Sequence, residues 1–334
     1  MEASKVNPVY TVIAVDKSGT KYKLTNVTTD LQLSENDGEL AQKCTVSFIN
    51  ETKIGSKYLS DIVVPGIKLY IYADTGNGKQ EVFRGIIWEK TYESTVEKKA
   101  SYTAYDHLIY LQNSKGCEYF KSGKSTKSIV SAICKEWGLK LKYEYDTITH
   151  PKLPLNNMAI SDMFIEVLEA VRKKKGKRYV IRSSKDVIYV KKCGSNSDIY
   201  TFKSKKGAIS TKSNLTMDGM VTKVIITGKE DKNDRVPIEA TVKGSNISKY
   251  GTLQEIVNKD EGTTLAQAKS EAKQILKEKG KLTETHSIET PDIPWVKKGD
   301  LIKISAGDLK GSYYVKSITH DCLYKTMSME VQPK

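Results

Sequence analysis

The sequence contains no long hydrophobic run. Nowhere in its 334 residues does an apolar stretch approach the length of about 18 residues that a membrane-spanning helix requires. The first eight residues, Met-Glu-Ala-Ser-Lys-Val-Asn-Pro, lack the apolar core of a secretory signal peptide. We therefore expect no membrane span, and we expect the protein to be made in a cytoplasm without a secretion signal of its own.

Cysteine and histidine are scarce, which argues against most metal sites and most nucleophilic active sites. The five cysteines are scattered and include none of the close pairs that a disulfide framework or a zinc site requires. The four histidines form no His-Glu-x-x-His motif, and the Gly-x-Ser-x-Gly of a nucleophile elbow is absent. Asp106 and His107 are awkward as an acid–base pair, because adjacent strand residues point to opposite faces. The sequence predicts no catalytic residue, metal site or cofactor.

Arginine is also rare, since only five of the 54 basic residues are arginine. Sites that read bases or clamp phosphates favour arginine, whose planar side chain forms two hydrogen bonds at once. The net charge of +14 is concentrated in residues 116–212, which hold 21 Lys and Arg against 9 Asp and Glu. A solvated lysine-rich surface is the favoured interpretation, and specific nucleic-acid binding is not expected.

One basic run in that segment is a candidate partner-facing patch. It consists of Lys173, Lys174, Lys175, Lys177 and Arg178. Cations at the end of a helix, followed by glycine, are an ordinary stop signal. The alternative is that the patch faces an acidic partner.

Short segments of alternating apolar residues dominate both ends of the chain. Residues 67–72 are an example, with Ile67, Leu69 and Ile71 on one face. Many short strands separated by Gly and Asn turns are typical of a small barrel or sandwich. The middle of the chain instead predicts helices over 125–137 and 161–175, a strand over 139–145 and a hairpin over 179–190, which is an α-β-α-β-β order.

The predicted fold class is therefore mainly β with an α+β middle. We predict a first β-barrel domain over residues 1–115 and a basic α+β domain over 116–212. A second β-barrel domain is predicted over 213–334, with an inserted helix over 264–279 that begins at a Thr cap and ends before Gly280.

The two strand-rich regions share an ordered pattern. In each, a glycine precedes an alternating strand, a glycine turn follows, and a strand with an aromatic residue comes next. The positions that mark the pattern are Gly66, Phe83, Gly299, Asp300, Tyr314 and His320. The shared order favours duplication of one module. The alternative is two unrelated meanders, because alternation with a period of two specifies little.

These segments resemble a known family. Residues 299–320, behind the alanine-rich helix 264–279, and residues 83–111 resemble the hub proteins of contractile phage tails and their baseplates, including the PBSX-like prophage tail hubs and the late control protein D group. The resemblance implies a non-enzymatic homotrimer in which two barrels per chain give six quasi-equivalent barrels. Such a ring adapts a hexameric tail tube to a trimeric spike.

The resemblance also implies partners and a location. The expected partners are further copies of the chain, the tail tube protein and the spike protein, with the tape-measure protein as a further candidate. The expected location is a virion or a phage tail-like particle assembled in the cytoplasm of the bacterial host. Two other functions stay open: a tail-associated peptidoglycan hydrolase, which would need two carboxylates in a cleft, and a nucleic-acid binder that uses the basic middle.

Overall fold

Strands are the dominant secondary structure of the computed structural model, which describes residues 6–49, 52–92, 99–204, 207–208, 210–230, 235–259 and 264–334. The chain divides into a larger unit, Met1–Thr211 with Ser287–Lys334, and a smaller unit, Lys212–His286. Among the described residues, no helix is long and apolar enough to cross a membrane.

The first part of the chain forms a seven-stranded arrangement that we call module 1. Its strands and the short elements between them are β1 (Val9–Val15), β2 (Lys21–Lys23), β3 (Thr28–Glu35), β4 (Lys43–Ile49), β5 (Lys53–Ile54), β6 (Lys57–Tyr58), α1 (Leu59–Ile62), β7 (Lys68–Asp74), β8 (Lys79–Tyr92), β9 (Lys99–Tyr105) and α2 (Leu108–Gln112). The strand order is β2-β1-β7-β8-β9-β4-β3. Alternate residues of β4, namely Cys44, Val46 and Phe48, are fully buried in its core.

The middle of the chain has the predicted helices and hairpin. Its elements are β10 (Lys115–Phe120), α3 (Thr126–Glu136), β11 (Lys140–Glu144), β12 (Leu153–Ala159), α4 (Ile160–Lys175), β13 (Tyr179–Ser184) and β14 (Val187–Lys192). The Ser125 side chain caps α3 by accepting a hydrogen bond from the Ser128 N–H (3.2 Å), and Gly176 ends α4 with a φ of 68°. β11 lies parallel to β14, which pairs antiparallel with β13.

The strand pair β10 and β12 is an addition to the predicted α-β-α-β-β order. The prediction missed β12 because Leu153-Pro154-Leu155-Asn156-Asn157 lacks apolar alternation beyond its first three residues. Proline also has no N–H to donate to a ladder, so it argues against a strand in sequence reasoning.

The smaller unit holds one helix against a three-stranded sheet. Its elements are β18 (Lys223–Thr227), β19 (Ile238–Lys243), α5 (Ile247–Tyr250), β20 (Gln254–Asn258) and α6 (Leu265–Lys279), and β18 is the central strand. Thr264 caps α6 in a reciprocal exchange with Gln267. The buried Ala268 and Ala272 of α6 pack in one cluster with Val224 and the other apolar residues of β18.

The remaining strands form a second arrangement, module 2. They are β15 (Thr201–Ser204), β16 (Gly207–Ala208), β17 (Ser210–Thr216), β21 (Thr283–Pro291), β22 (Leu301–Ala306), β23 (Leu309–Asp321) and β24 (Thr326–Pro333). Their order is β16-β15-β22-β23-β24-β21-β17. Taken in chain order, each strand occupies the position of its counterpart in module 1. One direction differs, because β15 runs parallel to β22 whereas β1 runs antiparallel to β7.

The same backbone hydrogen bonds fix the central hairpin of each module. In module 1, the Gly66 N–H donates to the Ile87 carbonyl (2.8 Å), and the Ile87 N–H donates to the Ile67 carbonyl (2.9 Å). In module 2, the Gly299 N–H donates to the Val315 carbonyl (2.7 Å), and the Val315 N–H donates to the carbonyl of the residue after Gly299 (2.9 Å). Gly66 and Gly299 therefore occupy equivalent positions.

A register shift follows at the same place in both modules. Trp88 is the unpaired residue between β8 and β9, and Lys316 is the unpaired residue between β23 and β24. A bulge at one fixed position is a specific feature of a strand pair. The matching bulges and the matching strand order together support duplication over a chance similarity of meanders.

The registers correct one pair of markers. Tyr314 lies opposite Leu301 at the position where module 1 has Ile86 opposite Lys68. The marker Phe83 is therefore not the counterpart of the marker Tyr314, because Phe83 lies three residues before Ile86 in β8, opposite Ile71. The mismatch arises because the first hairpin is longer and carries an additional register shift.

The compact units also divide the end of the chain differently from the predicted boundaries. The predicted domain 213–334 contains all but the first residue of the smaller unit, together with the strands β22–β24 of the larger unit. Alternation along a strand does not reveal which strands share a sheet, so the sequence could not separate them. The boundary predicted at residue 115 and the closure of each module into a barrel stay predictions.

The two equivalent glycines give a matched pair of substitutions. Gly66 and Gly299 both have a positive φ (92° and 84°), but an added Cβ meets nothing at Gly66 and lies 2.8 Å from Val180 Cβ at Gly299. We expect Gly66→Ala to lower the free energy of unfolding by about 1–2 kcal/mol, the cost of left-handed backbone. Gly299→Ala should cost about 1–3 kcal/mol more because of overpacking. Chemical denaturation of both variants measures the difference, and equal losses would contradict the described packing.

Candidate functional site

The two modules are joined by a strand ladder. Residues Gln32–Glu35 of β3 pair antiparallel with residues Ile318–Asp321 of β23. The pairing merges both modules into one 14-stranded sheet. We call this ladder, together with the loop 292–300 and Lys316, the module junction.

A buried polar network lies at the centre of the junction. His320 Nδ1 is 2.6 Å from Asp292 Oδ1, and His320 Nε2 is 3.1 Å from the Val296 carbonyl oxygen. The Tyr10 hydroxyl donates to the other oxygen of Asp292. Since both neighbours of the imidazole are acceptors, both ring nitrogens are placed to donate. The network links β1 of module 1 to β23 and the loop of module 2.

The Tyr10 hydroxyl keeps its proton in this position. Burial raises the pKa of Tyr10 far above its ordinary value, and the neighbouring Cys322 and Asp292 raise it further. Asp292 and His320 are 0% and 2% exposed. Removing one partner of such a pair leaves an uncompensated buried charge, so the network opposes separation of the modules.

Three lysines of module 2 make further contacts with module 1 at the junction. Lys298 Nζ donates to the carbonyls of Asn36 (3.0 Å) and Glu39 in the turn after β3. Burial lowers the pKa of Lys298. The Lys297 ammonium donates to a β8 carbonyl (3.0 Å), and the bulged Lys316 pairs with a carboxylate of the turn after β3 (3.2 Å).

The α+β segment contacts the same loop. Arg182 of β13 donates to Asp300 Oδ1 (2.7 Å) and to the Lys298 carbonyl. The Gly194 N–H donates to the Gly299 carbonyl (2.8 Å). Gly299 is required here, since Val180 leaves no room for a side chain. The loop is thus held by module 1 and the α+β segment together.

A cleft of about 400 Å³ lies beside the junction and contains three carboxyl groups. Two of them accept hydrogen bonds from the fold, and the third faces an ammonium without a hydrogen bond to its buried oxygen within the described residues. Asp106 Oδ1 accepts the Leu108 N–H (3.0 Å) at the start of α2, and Glu81 pairs with Arg84 (2.8 Å). Glu35 Oε1 lies 3.7 Å from Lys297 Nζ. Burial raises the pKa of Asp106 to about 7. The adjacent His107 lies 3.2 Å from Asp186 and forms no pair with Asp106.

The residues of the predicted basic patch are all exposed at the end of α4 and just after it. Lys177 pairs with Asp146 (3.0 Å), and Arg178 donates to Gln332 in β24. The structure therefore gives two of the five residues intramolecular partners. A role toward an outside partner stays a prediction for this patch.

The sequence pointed to His320 and Asp300 as markers but not to their partners. Tyr10 and Asp292 are separated by 282 positions, and neither belongs to a local motif. The local sequence places the polar Asp292 between Pro291 and an apolar residue, and a turn explains that pattern as well as a buried polar contact does.

Comparison with known proteins identifies the fold. The chain is similar to the 43 kDa tail protein of prophage MuSo2 from Shewanella oneidensis, with a TM-score of 0.68 and 12% identity over 97% of this chain and 98% of that one. It is also similar to the c3393 protein of E. coli, a component of the type VI secretion system with structural similarity to the T4 tail proteins gp27 and gp5. That match has a TM-score of 0.54 and 10% identity, over 92% of this chain and 74% of that one. The protein has a fold found in phage tail proteins.

Comparison of sequences gives the family. The chain is 24% identical over 257 residues to the protein YqbQ of Bacillus subtilis (strain 168), a match that covers 75% of this chain and 77% of that protein. The sequence profile of the YqbQ-like family matches residues 33–332. Since that match covers 300 of the 334 residues, the chain belongs to the YqbQ-like family.

Proposed function

We propose that this protein is a structural hub of a contractile phage tail or tail-like particle. In this proposal three copies form a ring that adapts the hexameric tail tube to the trimeric spike. The single observation that carries the proposal is the presence of two modules with one strand order in one chain. Three chains then supply six similar modules, which suits a sixfold tube on one side and a threefold spike on the other.

The module junction supports this proposal physically. Ring subunits that transmit load need a fixed angle between their modules, and a strand ladder with a buried ionic network restricts that angle more than a linker does. The similarity of the fold to that of a prophage tail protein also supports the proposal that this chain is a component of a tail. The proposed partners are the tail tube and spike proteins, with the tape-measure protein as a further candidate. The proposed location is the particle itself.

A peptidoglycan hydrolase is the competing function, and the cleft is where it would act. An inverting glycosidase requires one free acid and one free base on opposite sides of the sugar, about 6.5–9.5 Å apart. Asp106 and Glu81 accept hydrogen bonds from groups of the fold, and Glu35 faces the Lys297 ammonium. These contacts favour structural roles for the three carboxyl groups, and we propose that the protein is not an enzyme.

The trimer can be tested by mass. Sedimentation of the purified full chain should give three times the 37.4 kDa of one chain. Images of the same sample should have a ring with six similar densities, because the modules share one strand order. A monomer throughout the concentration range, or a dimer, would contradict the proposed hub.

Substitution of Asp106 distinguishes a structural role of this carboxyl group from a catalytic one. Because its pKa rises from 3.8 to about 7 on folding, the folded protein binds this proton more tightly than the unfolded chain does. The contribution of Asp106 to stability therefore falls as pH increases from about 4 to about 7. Asp106→Asn should gain stability relative to the wild type over that range, as measured by unfolding at a series of pH values.

The control for that series is Asp308→Asn, which removes a charge from an exposed turn. If Asp106 serves catalysis, the wild type should clear a peptidoglycan zymogram and Asp106→Asn should not. That result would overturn the non-enzymatic assignment, whereas a stability gain with no clearing by either protein supports it.

A further inference from the structure

Three polar residues that line the cleft beside the module junction lie side by side at one end of the sheet of module 1. Continued by one residue, the register of β3 with β4 sets Glu35 opposite Gln42, and that of β4 with β9 sets Gln42 opposite Asp106. The Asp106 N–H donates to the Gln42 carbonyl (3.1 Å), as this register requires. Residues opposite each other on adjacent strands share a face of the sheet. We call these three residues the polar row.

The polar row is buried at the boundary between the cleft and the apolar core of module 1. Its three side chains are only 4% to 8% exposed. The next row on the same face of these strands consists of Leu33, Cys44 and Ala104, which all belong to the apolar core. Burial of a polar group without a partner costs free energy. The row therefore needs a reason to be polar that contact with bulk solvent does not supply.

Two atoms of the polar row lack a hydrogen-bond partner among the described residues. They are Glu35 Oε1 and Gln42 Nε2, and both are buried. Lys297 Nζ lies 3.7 Å from Glu35 Oε1, which is too far for a hydrogen bond. Because burial raises the pKa of Asp106 to about 7, its carboxyl group is present both as a donor and as an acceptor at neutral pH. The row thus offers a ligand an unused acceptor, an unused donor and a carboxyl group that can act as either.

The cations that line the cleft are largely neutralised by carboxylates of the fold. Five of the six face one, in the pairs Arg84–Glu81, Lys142–Glu144, Arg182–Asp300, Lys191–Glu144 and Lys297–Glu35. The sixth, Lys185, lies in an exposed turn. A strongly charged ligand would have to compete with these pairs, so the cleft favours a neutral ligand that both donates and accepts hydrogen bonds.

A small molecule with several hydroxyl groups fits these requirements. The cleft volume of about 400 Å³ lies within the range of about 300–1,000 Å³ that is typical of ligand pockets. Each hydroxyl group donates one hydrogen bond and accepts others, so neighbouring hydroxyl groups can satisfy Glu35 and Gln42 together. Leu40, Phe83 and Ile181 give the lining an apolar part for ring carbons. An extended peptide fits less well, because it binds through backbone groups of an open strand and the polar row presents side chains.

We propose that this cleft binds a short neutral saccharide, which the polar row holds through hydrogen bonds to the hydroxyl groups. Glu35 Oε1 accepts from one hydroxyl group, Gln42 Nε2 donates to the oxygen of a neighbouring one, and the Asp106 carboxyl group contacts a third. The site binds the saccharide without cleaving it. This inference goes beyond the proposed hub and does not depend on the trimer, because every residue of the polar row comes from one chain.

Titration of the purified full chain tests the site. The probes are cellobiose, maltose and N,N′-diacetylchitobiose, with the neutral peptide trialanine as a comparison, and calorimetry measures their binding. We expect saturable binding of at least one disaccharide, with one molecule bound per chain. The absence of saturation by all three disaccharides overturns the proposal, and so does tighter binding of trialanine than of any disaccharide.

Substitution of Gln42 assigns the binding to the polar row. Gln42→Met keeps the approximate shape of the side chain and removes the donor, so the affinity for the saccharide should fall at least about tenfold, equivalent to about 1.4 kcal/mol. Thermal unfolding should not shift to lower temperature, because Gln42 Nε2 makes no hydrogen bond within the described residues. The matched control is Gln80→Met in β8, at an exposed position outside the cleft. Equal affinities of these two variants would overturn the proposal.

A second variant leaves the polar row intact and obstructs the cleft. Ser184 lines the cleft at an exposed position, so Ser184→Trp should narrow the cleft without disturbing the core. We expect this variant to unfold at the temperature of the wild type and to lose saccharide binding at least about tenfold. Undiminished affinity would overturn the proposal even if Gln42→Met does not fold.

The saccharide site and the hub fail in different experiments. A trimer that binds no disaccharide keeps the hub and overturns the site, whereas a monomer that binds one keeps the site and overturns the hub. Release of monosaccharides during the titration would support the site and overturn the non-enzymatic assignment.

Discussion

The antiparallel ladder between β3 and β23 is the constraint on which the rest of the larger unit depends. Four residues from each strand turn two modules into one continuous sheet. Backbone hydrogen bonds set the register of such a ladder, and a slip by one residue would move buried side chains such as Leu33 to the other face. The loop 292–300 and the α+β segment are then positioned by contacts with strands whose places are already fixed.

The buried network adds specificity to this ladder more than it adds stability. A buried ion pair contributes little net free energy compared with apolar packing of equal volume, but it strongly penalises any arrangement that separates its members. Tyr10, Asp292 and His320 come from three separate elements, so they are satisfied together only when both modules are docked. The Asp106 carboxyl illustrates the opposite case, in which a buried acid accepts a hydrogen bond from the Leu108 N–H at the start of α2.

Sequence reasoning recovered what local pattern specifies. The caps of α3 and α6 and the glycine that ends α4 follow from neighbouring residues, and each was predictable. Phe83 and Tyr314 are not counterparts because the first hairpin is longer and carries an additional register shift, and the sequence reveals neither. The contacts of Tyr10 with Asp292, and the assignment of 213–334 to two units, depend on which strands become neighbours in space. Residues far apart in the chain give no periodic signal of that kind.

The smaller unit occupies a place in the chain that the shared strand order makes interpretable. Its residues 217–282 lie in sequence between β17 and β21, which pair with each other, and the corresponding strands of module 1 are connected only by residues 36–42. Its entry and exit strands are therefore adjacent, as they are in a hairpin. An ancestral module could accept such an insertion without any change to its ladders, because the framework at that point needs only a short reversal of the chain. The same topology makes this the natural place for related chains to differ in length.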